Sequence, residues 1–406
     1  MGFQRYKQSK GSDMKVLHCI TSTGFGGAQI MLLRYLRALG QRAHDHSVLS
    51  LMPQDAIGQE IASLGVPVHD LGLQQGRYSV RALKTLRQHV RHTQPDLIHG
   101  WMYHGNLAAR LATIASTAAP PVLWAVHHSL QDIHNERRSS RFFIRSGAAL
   151  SGGVSGISYC AQVSAAQHEA IGFASDRSIV IPNAIDTDEF RPDAEARARL
   201  GAIAGIPDGR IIIGNVGRDH PMKDQARMVA AIARLLELGY DVQGVLIGTG
   251  QDVGSARRAS HELGISDRIS TLSERSDIAK LVSGFDIFLL PSAWGEAFPL
   301  AVCEAMACGV PSVVTDVGDT GLIVGETGAV IPPSDTEAQA SALAKMVDLG
   351  PSGRKAMGAA ARDRICQNFS MSRYIDAHDQ WYHEALSQGQ RGAWSLNMAS
   401  KTGISK

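Results

Sequence analysis

Short apolar runs alternate with amphipathic stretches along almost the whole chain, and the pattern occurs twice. In the first half, Met14–Ile20, Ser47–Leu51, Val66–Leu71, Leu97–Gly100 and Pro121–Val126 read as strands. Between them, 30–39, 80–92 and 106–115 carry helical spacing of apolar residues. The second half repeats this with strands at 211–216, 245–248, 269–272, 287–290 and 312–315 and a helix over 224–238. Strands separated by helices of this length form parallel sheets, because only a crossover returns the chain in the same direction. Right-handed crossovers make each half a doubly wound sheet. The expected fold is therefore α/β, with two Rossmann-like domains at 14–190 and 191–370 facing a central cleft. The joint lies near 191–207, after the turn-rich Ile181-Pro182-Asn183-Ala184-Ile185-Asp186. A final helix over 371–388 is expected to pack back on the first domain. Residues 1–13 and 389–406 read as polar tails.

The 406 residues are 44% hydrophobic and 19% charged, enough to bury two cores. The 41 glycines exceed the usual share of roughly 7%, as strand–helix turns require. A net charge of +2 does not indicate a nucleic-acid partner. The five cysteines are scattered and form no CxxC pair, which argues against a zinc site or disulfide framework and for a reduced, cytoplasmic setting. The polar start MGFQRYKQSKGSD has no apolar core of the secretory kind, and no apolar stretch approaches the ~18 residues of a membrane span.

Five segments carry candidate chemistry. Gly24-Phe25-Gly26-Gly27-Ala28 joins the first strand to the first helix; Gly26 and Gly27 form either a tight turn or a loop whose amides approach a phosphate. The third glycine of a dinucleotide fingerprint is absent, since Gln29 follows. Arg218 and Lys223 follow the strand 211–216 and face the crevice at the sheet's carboxyl edge, where two cations can neutralise a diphosphate; the alternative is a solvated loop. Glu296 and Glu304 stand eight apart in PSAWGEAFPLAVCEAMACGVP. With a helix beginning near Leu300, the amides around Phe298, Pro299 and Leu300 mark a helix start, and Glu304 lies one turn inside. A near-buried glutamate in an Ala/Met/Cys helix needs a partner, and vicinal hydroxyls of a ribose or sugar would supply one. The alternative is an exposed loop acid and a buried acid satisfied by backbone. His127 ends an apolar strand and is either a cleft-facing hydrogen-bonding group or a core histidine. Finally, Arg137, Arg138, Arg141 and Arg145 interleave with Phe142 and Phe143, while Arg81, Lys84, Arg87 and Arg91 recur on the 80–92 helix. This pattern suits an anionic membrane surface or a plain solvated face.

These segments, in this order, resemble the retaining GT-B glycosyltransferases of the family-four type that act in bacterial polysaccharide and glycolipid assembly. The glycine loop, His127, the IPNAID run, Gly217-Arg218 with Lys223, Arg275-Ser276-Asp277-Ile278 and the E-x7-E segment Glu296–Glu304 all match, over about residues 14–385. The resemblance implies that Arg218 and Lys223 hold the donor's pyrophosphate, with Arg275 and the Phe298–Pro299–Leu300 backbone also on the donor. It implies that Glu304 binds the ribose, that Glu296 holds the transferred sugar, and that His127 stands beside sugar or acceptor. Gly26 and Gly27 become the acceptor or phosphate loop. The partners it implies are a nucleotide sugar, UDP-linked by preference, and a lipid-linked or oligosaccharide acceptor. Peripheral contact with the inner membrane's cytoplasmic face would follow, with neither metal nor cofactor required. Ala184 and Ala297 replace glycines common in the family. A nucleotide-sugar epimerase of similar fold and a catalytically silent subunit of an assembly complex are the alternatives.

Overall fold

A computed structural model describes residues 14–74, 80–114 and 119–388; the expected tails 1–13 and 389–406 lie outside them. Seven parallel strands form the first sheet: β1 (Val16–Ile20), β2 (His46–Ser50), β3 (Val68–Asp70), β4 (Leu97–Trp101), β5 (Val122–Val126), β6 (Gly156–Tyr159) and β7 (Ser178–Val180). Their spatial order is β3-β2-β1-β4-β5-β6-β7. The second sheet contains β8 (Ile211–Val216), β9 (Val242–Ile247), β10 (Ile269–Leu272), β11 (Ile287–Leu290), β12 (Ser312–Thr315) and β13 (Ala329–Ile331), ordered β10-β9-β8-β11-β12-β13. Both orders reverse direction once, between β1 and β4 and between β8 and β11. A doubly wound sheet opens its ligand crevice at that reversal, beyond the carboxyl ends of the strands.

The central strands are buried throughout because helices cover both faces. The helix Gln225–Glu237 shows how the crossovers bury themselves: Met228, Val229, Ile232 and Leu235 fall on one stripe and are fully buried. Differences from the sequence reading are local. The helix expected from residue 106 starts at Met102 instead, directly after β4, with Met102 itself at φ 61°. A helix at Ala196–Ala204 occupies the expected joint. The strand expected at 245–248 begins at Val242.

The chain crosses back between the sheets after residue 368. Ile185 donates its amide to Phe369 O at 2.9 Å, and Met371 donates to Ile185 O at 3.2 Å. The helix Met371–Gln388 then lies on the first domain, against the helix Gly27–Leu39, and buries Tyr374, Trp381 and Tyr382 there. A second junction lies at Asp319. Its carboxylate accepts from the amides of Gln162 and Val163 at 2.6 and 3.0 Å. The helix Gln162–Ala170 has no side-chain cap of its own, so the second domain supplies its amino-terminal cap.

Candidate active site

The carboxyl end of β8 leads through Gly217 and Arg218 into a single tight turn, Pro221–Lys223, capped by His220, whose Nδ1 accepts from the Met222 amide at 3.2 Å. Asp224 follows at φ 47°, a left-handed conformation uncommon outside glycine, and Arg227 Nε holds its carboxylate at 2.6 Å. This locally strained link turns the chain back so that Lys223 reaches across to the loop after β11. Lys223 Nζ donates to Glu296 Oε1 at 2.6 Å. Ser292 Oγ donates to the same oxygen, also at 2.6 Å, and its backbone carbonyl is fixed by Thr315 Oγ1. Glu296 is buried, yet its Oε2 takes no hydrogen bond from any described residue. Gly318, at φ 64°, lets two loops touch: a Cβ there would lie 2.3 Å from Glu296 O.

Three residues beyond Glu296 the helix Leu300–Ala307 begins at Pro299, which has no N–H and serves as its cap. The amides of Phe298, Leu300 and Ala301 find no backbone acceptor, as expected of a first helical turn. Glu304 is buried one turn in. Its partner is neither solvent nor backbone but Arg34 of the first domain, at 2.8 Å. Arg218 is exposed, and its guanidinium pairs with no described residue.

The structure thus brings Lys223, Glu296 and the 298–300 backbone into one cluster, with Glu304 at its far end. Arg275 makes a two-pronged bond with Asp277 at 2.8 and 2.9 Å. The Phe298 side chain is core, packed on Phe369 at 5.3 Å. His127 lies at the carboxyl end of β5, stacked on Trp101 at 5.2 Å, with Nδ1 2.9 Å from Asn183 Oδ1. That oxygen only accepts, so Nδ1 carries the proton and Nε2 is an acceptor. Burial pushes the His127 pKa down to about 4, partly opposed by the Asn183 bond, so the ring is neutral near pH 7. Gly26 is extended, Gly27 has open space around it, and Phe25, just before them, is 73% exposed.

Three residues of the cluster are not evident from the sequence as site residues: Arg34, Ser292 and Asn183. Ser292 and Asn183 lie inside the PSAWGEAFPLAVCEAMACGVP and IPNAID segments, and the lone arginine within the apolar run 30–36 is the signal for Arg34. Among the described residues, no group of three or more His, Cys, Asp or Glu could hold a metal ion.

Residues 25–189 match the family model "Glycosyltransferase Family 4", and residues 197–364 match "Glycosyl transferases group 1". The putative glycosyltransferase EpsF of Bacillus subtilis is 26% identical over 319 residues, 75% of this chain and 80% of that one. A D-inositol 3-phosphate glycosyltransferase of Rhodococcus erythropolis is 31% identical over 238 residues, 56% of this chain; the match spans only 53% of that relative's length. Among solved structures, Anabaena Alr3699/HepE in complex with UDP superposes with a TM-score of 0.79 at 19% identity, covering 90% of this chain and 99% of that one. The same protein with UDP-glucose gives 0.77 at 20% identity, over 92% and 100%. At these identities the structural likeness shows the fold.

Proposed function

Because the chain belongs to the GT-B glycosyltransferases of the family-four type, we propose that it transfers a sugar, with retention, from a UDP-sugar to a lipid-linked or growing saccharide in cell-surface polysaccharide assembly. One observation carries this reading: Lys223 and Ser292 hold Glu296 at the mouth of a helix whose first amides are free, with Glu304 one turn inside. A diphosphate seated between Arg218, Lys223 and the 298–301 amides meets two cations and the positive end of a helix. That environment stabilises negative charge as it develops on the leaving phosphate. Glu296 Oε2 is left to accept a hydroxyl of the sugar. In the transfer, the bond between the sugar's anomeric carbon and the phosphate oxygen breaks. The acceptor oxygen bonds to that carbon from the same face, and its proton passes to the departing phosphate oxygen. His127, neutral with Nε2 as acceptor, orients a hydroxyl of sugar or acceptor. That UDP and UDP-glucose occupy the similar Anabaena protein supports a uridine donor.

The first domain would receive the acceptor. The helices Val80–Thr93 and Arg138–Leu150 both pack on Met102–Thr113. Arg81, Lys84, Arg138 and Arg145 are exposed there, and Phe142 is 66% exposed. Such a face suits an anionic membrane carrying a lipid-linked acceptor. No helix among the described residues is long and apolar enough to cross a membrane.

The test is proton NMR of UDP-glucose turnover, with water as surrogate acceptor and EDTA present. Retention and metal independence predict α-glucose as the first product, before mutarotation. β-Glucose would contradict retention, and turnover appearing only when Mg²⁺ is restored would contradict metal independence.

A further inference from the structure

Arg34 reaches Glu304 from the other domain, 270 residues away in sequence. The pair is enclosed, with side chains 14% and 12% exposed. The guanidinium carbon sits 5.5 Å from the centre of the Phe190 ring, on the segment that joins the two domains. Only Nη2 meets Glu304 Oε1; the other amino nitrogen, Nη1, is buried with no hydrogen-bond partner. Glu304 Oε2 likewise takes no hydrogen bond from a described residue. A buried guanidinium N–H without a partner is costly. The two vacant positions are complementary: one donates, the other accepts.

A vicinal diol fills such a pair, because each hydroxyl both donates and accepts. One hydroxyl donates to Glu304 Oε2 while an oxygen of the diol accepts from Arg34. We infer that Arg34 is a second reader of the donor's ribose, supplied across the cleft, so that the nucleotide is held fully only when both domains close on it. The inference rests on the reading of Glu304 as the ribose acid. It makes the first domain part of the donor site as well as the acceptor site.

The experiment is calorimetric titration of UDP and of 2′,3′-dideoxy-UDP into the full-length protein and its Arg34→Met, Arg34→Lys and Glu304→Gln variants. The wild type should prefer UDP by about tenfold or more, the scale of a lost hydrogen bond to a charged group. Arg34→Met should bind UDP more weakly and lose most of that preference, and Arg34→Lys should recover part of it. If Arg34→Met does not fold, Arg34→Lys and Arg34→Gln carry the comparison. Undiminished preference for UDP in the Arg34 variants would overturn the inference while leaving Glu304 as the ribose acid. Tighter UDP binding by Arg34→Met would overturn it differently, by making the ion pair a lock that the nucleotide must break. Failure of the wild type to bind UDP at all would remove the underlying reading.

Discussion

Lys223→Ala should abolish transfer and also weaken the fold. Its ammonium is the cation of a buried pair, with Lys223 and Glu296 side chains 17% and 8% exposed. Removing one partner of such a pair leaves an uncompensated charge, at about 3–5 kcal/mol. Ser292 still donates to Glu296 Oε1, which places the expected loss at the lower end of that range. Activity should fall by about 10²–10³ or more, the scale of a lost group that stabilises developing charge. The double variant Lys223→Ala/Glu296→Gln separates the two effects. Neutralising the stranded acid should restore most of the stability, read by urea unfolding, and none of the activity, read by UDP release. Arg218→Ala gives the opposite contrast: Arg218 is exposed and unpaired among the described residues, so its loss should spare stability and reduce turnover. Equal instability of the single and double Lys223 variants would show that Lys223 supports the fold by packing rather than by charge.

Mild acid should destabilise the first domain strongly. His18, His46, His99 and His378 lie buried between the first sheet, the helix Gly27–Leu39 and the helix Met371–Gln388. Their rings stand 5.1–5.8 Å from their neighbours within the group. His18 Nε2 bonds His46 Nδ1 at 2.8 Å, Trp101 donates to His18 Nδ1 at 3.0 Å, and His99 Nδ1 bonds the Tyr382 hydroxyl at 2.8 Å. Burial is the main force on all four pKa values, with mutual repulsion and, for His46, the nearby Arg42 adding to it. His46 is pushed down to about 4 and His378 to about 3, and His18 and His99 also lie well below the ordinary value. The folded state therefore prefers neutral rings, while the unfolded chain takes up protons near pH 6.5. Their contribution is fully present above pH 6.5 and is lost as pH falls towards 4–3. Each such group removes about 2 kcal/mol between pH 6.5 and 5. Two of them together make a large part of an ordinary domain's stability. Urea unfolding at pH 7.5 and pH 5 should show that drop, and His378→Phe should flatten it. Equal midpoints at the two pH values would contradict it.

The alternation of strands and helices was legible because two-sided burial makes the central strands mostly apolar. The edges were not. β6, β7 and β13 are three or four residues long, and β6 opens on Gly156, so neither length nor apolar content marks them. Gln243 hid the first half of β9, although it is buried there and hydrogen-bonded to Arg210 and Ser270. The start at Met102 was invisible because its left-handed φ is a tertiary choice, stabilised where its sulfur accepts the His127 amide at 3.3 Å. In the site, residues close in sequence could be grouped, and the need of Glu304 for a partner could be argued. That the partner is Arg34 could not, because the pairing depends on how two domains face each other. Arg275 shows the converse: Asp277, two residues on, satisfies it locally.

The carboxyl ends of β8 and β11 form a nucleotide-sugar site in this reading. Its most direct test is calorimetric titration of UDP, GDP and ADP, with EDTA present, into the protein and into Arg218→Ala and Glu304→Gln. UDP should bind at micromolar concentration, the other two nucleotides more weakly, and both variants should lose UDP affinity. A folded protein that binds none of the three, or variants that bind UDP as tightly as the wild type, would contradict it.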